Sequence, residues 1–176
     1  MNFLKLSLIV IFIVSFNNNV NGHGPSRQKV NENIEINTKP EKVWEIVKNF
    51  MKFNWNSSVK KVTAENNQVG AERKLEFEGG KFVKQKLEKI DESKKLISWR
   101  IVETSNDIMP VNSYAAKIFV KEGDNGKTIV NYKAGFYRGF MGNDPPEALN
   151  DENSKKKVSN FIKNSLKGLK SIAETK

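Results

Sequence analysis

Nucleophilic catalysis of the Ser-His-Asp or Cys-His kind needs an imidazole placed beside the nucleophile, and this chain has one histidine, His23, and no cysteine. An N-terminal histidine can chelate copper through its amine and ring, but a lone imidazole encloses a metal poorly, so no metal and no cofactor is expected. Paired carboxylates are the next candidates. "LEFEGG" sets Glu76 and Glu78 on one strand face, while Asp91-Glu92 and Asp151-Glu152 fall in turns. General acid or base work requires a carboxyl group in a low-dielectric pocket, and these acids lie among lysines, where solvated charge is the plainer reading. "GDNG" lacks the ligand spacing of a calcium loop and reads as a hairpin turn. No catalytic residue is therefore assigned.

Aromatic and thioether residues remain. Trp99, Met109, Tyr114, Tyr132, Phe136 and Phe161 are the residues expected to line an apolar cavity, although the same residues read equally as packed core. A tyrosine hydroxyl, once buried, needs a partner. A second group, Tyr137, Arg138, Phe140, Met141, Asn143 and Asp144 in "YRGFMGND", combines aromatic, thioether and guanidinium chemistry where a strand ends, and is expected to form an exposed rim that contacts a partner.

The elements that must carry these residues begin after a leader. Lys5, the apolar run from Leu6 to Phe16 and the polar "NNNVNGHG" have the layout of a secretory signal peptide, with cleavage expected after Gly22. Its apolar run is shorter than the roughly 20 residues that span a bilayer, so no stable membrane insertion is expected once the leader is removed. Residues 23 to 176 then form one domain. The absence of disulfides in an exported domain favours a bacterial periplasm. Removing Lys5 leaves 29 Lys and Arg against 20 Asp and Glu, a field that favours acidic partners; export argues against nucleic acid.

Ile34 and Ile36 alternate as in a strand. The period then changes: Thr38 and Glu41 have capping-box spacing, Pro40 suits a first turn, and Val43, Trp44, Val47 and Phe50 follow at helical spacing. "MKFNW" predicts a second short helix. Strands are predicted over 59–65, 72–77, 81–91, 96–105, 112–122 and 127–139, with short turns between them that imply an antiparallel meander. "NDPPE" predicts a helical turn capped by Asp144. The C-terminal stretch returns to helical period, with Val158, Phe161, Ile162, Leu166, Leu169 and Ile172 on one stripe. The expected class is α+β: a curved antiparallel sheet of about seven strands wrapped around a long C-terminal helix, with two short helices after the first strand.

This order of elements resembles the START-like, or SRPBCC, helix-grip superfamily, and "INTKPEKVWEIVKNFMKFNWNSSV" is similar to the opening of its polyketide cyclase/dehydrase branch. "HGPSRQKV", "MPVNSYAAKIFV", "FYRGF" and "NDPPEALND" resemble the small periplasmic accessory proteins associated with bacterial methanol oxidation. The resemblance implies an exported, non-catalytic helper of a periplasmic methanol or alcohol dehydrogenase and its acidic cytochrome acceptor. Fold alone does not fix function. Three readings follow: a protein-binding accessory factor, which requires a contiguous basic surface; a carrier of a small hydrophobic ligand, which requires an interior site; and a cyclase or dehydratase, which requires a polar group inside the grip.

Overall fold

Alternation of apolar and polar residues governs most of the chain, and it folds accordingly. In a computed structural model describing residues 24–175, the elements are β1 (Gln28–Ile36), α1 (Pro40–Val47), β2 (Lys61–Ala64), β3 (Glu72–Glu76), β4 (Phe82–Asp91), β5 (Leu96–Thr104), β6 (Val111–Glu122), β7 (Thr128–Arg138) and α2 (Asp151–Glu174). The proposed leader and His23 lie outside the described residues.

All strands pair antiparallel in one seven-stranded sheet of order β1-β7-β6-β5-β4-β3-β2. From β2 to β7 the chain is a meander, and β1 closes the far edge by pairing with β7 from Gln28↔Phe136 to Ile36↔Thr128. Three irregularities bend the sheet, the first in β4, where pairing with β5 steps from Leu87 to Lys89 and skips Glu88. In β5, pairing with β4 steps from Glu103 to Ile101 and skips Val102. In β6, Ser113 and Tyr114 together lie opposite Phe136, and Ser113 takes a left-handed φ of 48°. Such bulges add local twist and re-aim side chains. Here the bulge turns both Val111 and Tyr114 inward.

Helix α2 lies in the concave face. Asn150 caps it by accepting the Asn153 N–H at 2.8 Å, and Asp151 and Glu152 suit the positive end of its dipole. Val158, Ile162, Leu166 and Leu169 are fully or almost fully buried against Leu75, Leu87, Ile118 and Val130 of the sheet and Val43 and Val47 of α1. Ile172, expected on this stripe, is instead exposed, and Ala173 takes the buried position.

Four local expectations are corrected. "MKFNW" forms turns, not a second short helix. Its backbone is clamped onto α2: Asn56 Nδ2 donates to Ser165 Oγ at 2.7 Å, and the Trp55 carbonyl sits so close to Gly168 that a Cβ there would lie 2.0 Å from the oxygen. Thr38 makes no capping box, because Lys39 is the N-cap without a side-chain bond and Glu41 pairs with Lys95. Asp144 caps nothing; the 3-10 turn Glu147–Leu149 begins after Pro146. Glu78 also leaves the strand, in a 3-10 turn where Gly79 and Gly80 supply positive φ.

Candidate functional site: a buried guanidinium inside the grip

Strand parity carries four polar side chains into the apolar interior. Along β3 and its flanking residues, Ala71, Arg73, Leu75 and Phe77 share the inward face, and on β4 Val83, Gln85 and Leu87 do the same. Arg73 is 3% exposed. Its Nε donates to Gln85 Oε1 at 2.7 Å and its Nη1 to the Phe50 carbonyl at 3.1 Å. The guanidinium stacks over Phe50, Phe53 and Trp99, with ring centroids at 4.2, 4.5 and 5.2 Å. Among the described residues no carboxylate pairs with it, and Nη2 has no hydrogen-bond partner.

The neighbouring polar atoms are in the same condition. Trp99 meets Tyr132 edge to face at 5.5 Å, and Tyr114 stacks on Phe136 at 6.0 Å. The Tyr114 and Tyr132 hydroxyls and Trp99 Nε1 are buried and make no well-aligned hydrogen bond. The two hydroxyls nevertheless lie close enough to influence each other. Burial draws the Arg73 guanidinium down to about 9, with Tyr132 and Tyr114 pulling the other way, so it stays charged at neutral pH. Burial also raises both phenols above their ordinary range. A cation therefore shares the buried apolar core with two neutral hydroxyls and an indole N–H.

The opposite face of the sheet is wet and basic. A groove of about 610 Å³ runs across β1, β7 and β6, with Arg27, Lys29, Lys117 and Lys133 on its walls and Glu88 as its one acid. Ala115 and Gly135, with little or no side chain, leave room for it. Arg27 lies along it, donating to the Gly135 carbonyl at 3.2 Å and sitting 5.6 Å from the Tyr137 ring centroid. Beside it, Lys117, Lys121 and Lys133 gather around the Phe119 ring at 5.4 to 5.9 Å.

A match to the family model for polyketide cyclase / dehydrase and lipid transport proteins spans residues 27–174, nearly all of the described chain. The chain belongs to this polyketide cyclase/dehydrase family. No curated protein matches it in sequence. Solved structures with the same fold include an uncharacterised protein from Bacillus thuringiensis (21% identity, TM-score 0.70, 84% of this chain and 100% of that one). The protein XoxI from Bacillus cereus is similar to the same degree (21%, 0.69, covering 82% and 94%). The ZhuI aromatase/cyclase from Streptomyces sp. R1128 also shares the fold (16%, 0.66, covering 85% and 94%). At these identities the likeness is one of fold.

Within this family member, the six residues expected to line a cavity all lie in the interior: Trp99, Met109, Tyr114, Tyr132 and Phe136 at 1% exposure or less and Phe161 at 8%. The rim divides. Phe140 and Met141 are exposed, as are Asn143 and Asp144, and Tyr137 is half-buried at the end of the basic groove. Arg138 is not a contact residue. Its side chain is buried, pairs with Asp151 at 2.9 Å and donates to the Phe140 and Gly142 carbonyls, so it pins the loop to the start of α2. Arg73 and Gln85 were not singled out by the sequence reading, although each interrupts an otherwise apolar inward parity, which is the signal that would have found them.

Proposed function

We propose that this family member is an exported, non-catalytic accessory protein of the periplasm. It assists a methanol or alcohol dehydrogenase and its cytochrome acceptor by binding an acidic surface of one of them. The observation that carries this reading is the basic groove across β1, β7 and β6, where four cations face one acid. Opposite charge at that scale accelerates encounter and fixes orientation more than it raises affinity. The sequence blocks quoted above and the shared fold with XoxI support the same direction. The test is capture of partners from periplasmic extract at low and high salt. A dehydrogenase or cytochrome should be retained at low salt and released at high salt, and Lys117→Glu with Lys133→Glu should slow association by about tenfold. Retention of neither protein would end this reading.

A second reading, a carrier of a small hydrophobic ligand held between sheet and helix, is favoured by one specific observation. Among the described residues, Arg73 Nη2 and Trp99 Nε1 are buried in the apolar interior without partners, and the Tyr114 and Tyr132 hydroxyls have at most each other. Buried polar groups in folded proteins are almost always paired, and exceptions concentrate at functional sites.

A further inference from the structure

Resting on the accessory reading above, we propose that the outer basic groove docks one extended acidic segment of the partner, in which two carboxylates four residues apart flank an aromatic side chain.

The pattern comes from the register of the sheet. Two neighbouring rows of outward residues cross β1, β7, β6 and β5: Lys29, Gly135, Ala115 and Arg100 in one, and Asn31, Lys133, Lys117 and Ser98 in the next. Gly135 and Ala115 therefore leave a gap with a cation at each end and two lysines along one side. The Arg27 guanidinium lies over Gly135, where a Cβ would sit 3.0 to 3.4 Å from its Nη2, Nε and Cζ, and Nη2 donates to the Gly135 carbonyl. A guanidinium held in this way gives the gap a planar cationic floor on which a ring can stack. The same face already carries this chemistry, with Lys117, Lys121 and Lys133 gathered around Phe119.

Spacing fixes the segment. Lys29 and Arg100 stand three strand intervals apart, about 14 Å at the usual strand separation, and an extended chain covers about the same distance in four residues. Acids at the first and fifth positions then reach Lys29 and the Lys117 and Arg100 pair, and the third side chain, on the same face, falls on the gap between them.

The charge of this face asks for such a partner. Lys117 and Lys133 are directly opposed across β6 and β7, and like charges in that position destabilise a sheet. Among the described residues none of Arg27, Lys29, Lys117 and Lys133 is in an ion pair. Glu88, the one acid at the groove, is 3.8 Å from Arg100, an exposed pair of the kind an incoming carboxylate displaces easily. The cations surround a recess, which favours a protein segment over a bilayer: a smooth lipid surface meets the ends of side chains and not the floor between them.

The experiment measures binding of labelled peptides to the purified protein at low ionic strength by fluorescence anisotropy. Glu-Ser-Phe-Ser-Glu should bind, its isomer Ser-Glu-Phe-Glu-Ser should bind about threefold or more weaker, and Gln-Ser-Phe-Ser-Gln about tenfold or more weaker. Ala115→Ile, which fills the floor at an outward strand position without changing charge, should weaken the first peptide by about fivefold, and Lys29→Gln with Lys117→Gln by about tenfold. No binding of the first peptide, equal binding of the two isomers, or unchanged binding by Ala115→Ile overturns the segment and leaves a partner steered by diffuse charge standing. Tighter binding to phosphatidylglycerol vesicles than to the peptide overturns it in favour of a membrane surface. Peptide binding as expected, with neither dehydrogenase nor cytochrome captured from extract, supports the segment and overturns the accessory reading alone.

Discussion

Replacing Arg73 by methionine, together with Gln85 by leucine, should make the protein more stable. Burial holds the guanidinium at about 9. Its distance from the ordinary arginine range, at about 1.4 kcal/mol per pH unit, sets the cost of keeping that charge inside on the order of 5 kcal/mol. Against this stand the contacts with Phe50, Phe53 and Trp99, which together return about 2 to 3 kcal/mol in a desolvated setting. The bond to the Phe50 carbonyl contributes about 1 kcal/mol more. Substituting Gln85 as well avoids stranding the Oε1 that accepts from Arg73 Nε. Methionine and leucine fill the same apolar space without a charge. The balance favours the double variant by about 1 to 2 kcal/mol, a rise in melting temperature of roughly 2 to 6 °C for a domain of this size. Urea unfolding followed by circular dichroism measures it without relying on Trp99, whose emission the substitution would change. A loss of 3 kcal/mol or more would refute the reasoning, because it would make Arg73 a structural group held by its aromatic neighbours.

Other substitutions test the packing that surrounds the site. Gly168→Ala gains about 1 kcal/mol of helix propensity but drives a Cβ into the Trp55 carbonyl, so chemical denaturation should show a net loss of about 2 kcal/mol or more. Arg138→Ala should cost about 2 kcal/mol, because it breaks a half-buried ion pair and two bonds to loop carbonyls. Phe140→Ala, at an exposed position beside it, should change stability by less than about 0.5 kcal/mol; a large loss there would show that the loop is packed and not presented.

Much of the fold was written in periodicity. The six predicted strands after α1 fall within two residues of the observed ones, and α2 carries the whole expected stretch from Val158 to Ile172 behind the Asn150 cap. What periodicity missed were segments shaped by distant partners. "MKFNW" has helical spacing, yet Asn56 and the Trp55 carbonyl are drawn to α2, more than 100 residues away in sequence. Arg138 follows the same pattern: its place at the end of a strand suggested exposure, but Asp151, Gly142 and Phe140 gather around it once α2 packs back. Tertiary bonds of this kind have no local signature.

The candidate site was legible in half. Apolar parity on β5, β6 and β7 identified Trp99, Tyr114, Tyr132 and Phe136 because each sits among residues that confirm its face. Arg73 and Gln85 obey the same parity, but a charged or amide residue is assigned to solvent by default, and alternation read through apolar residues alone passes over it. The default is right for Lys117 and Lys133, which form the basic groove, and wrong for the one arginine that a carrier would need. A residue that breaks its local rule while its neighbours keep theirs costs stability, and a chain retains that cost where the residue serves something other than folding. On that argument the outer cations and the inner one stand in different settings: the first lie in water, where charge is cheap, and the second lies where charge is expensive, so its retention asks for a role beyond folding.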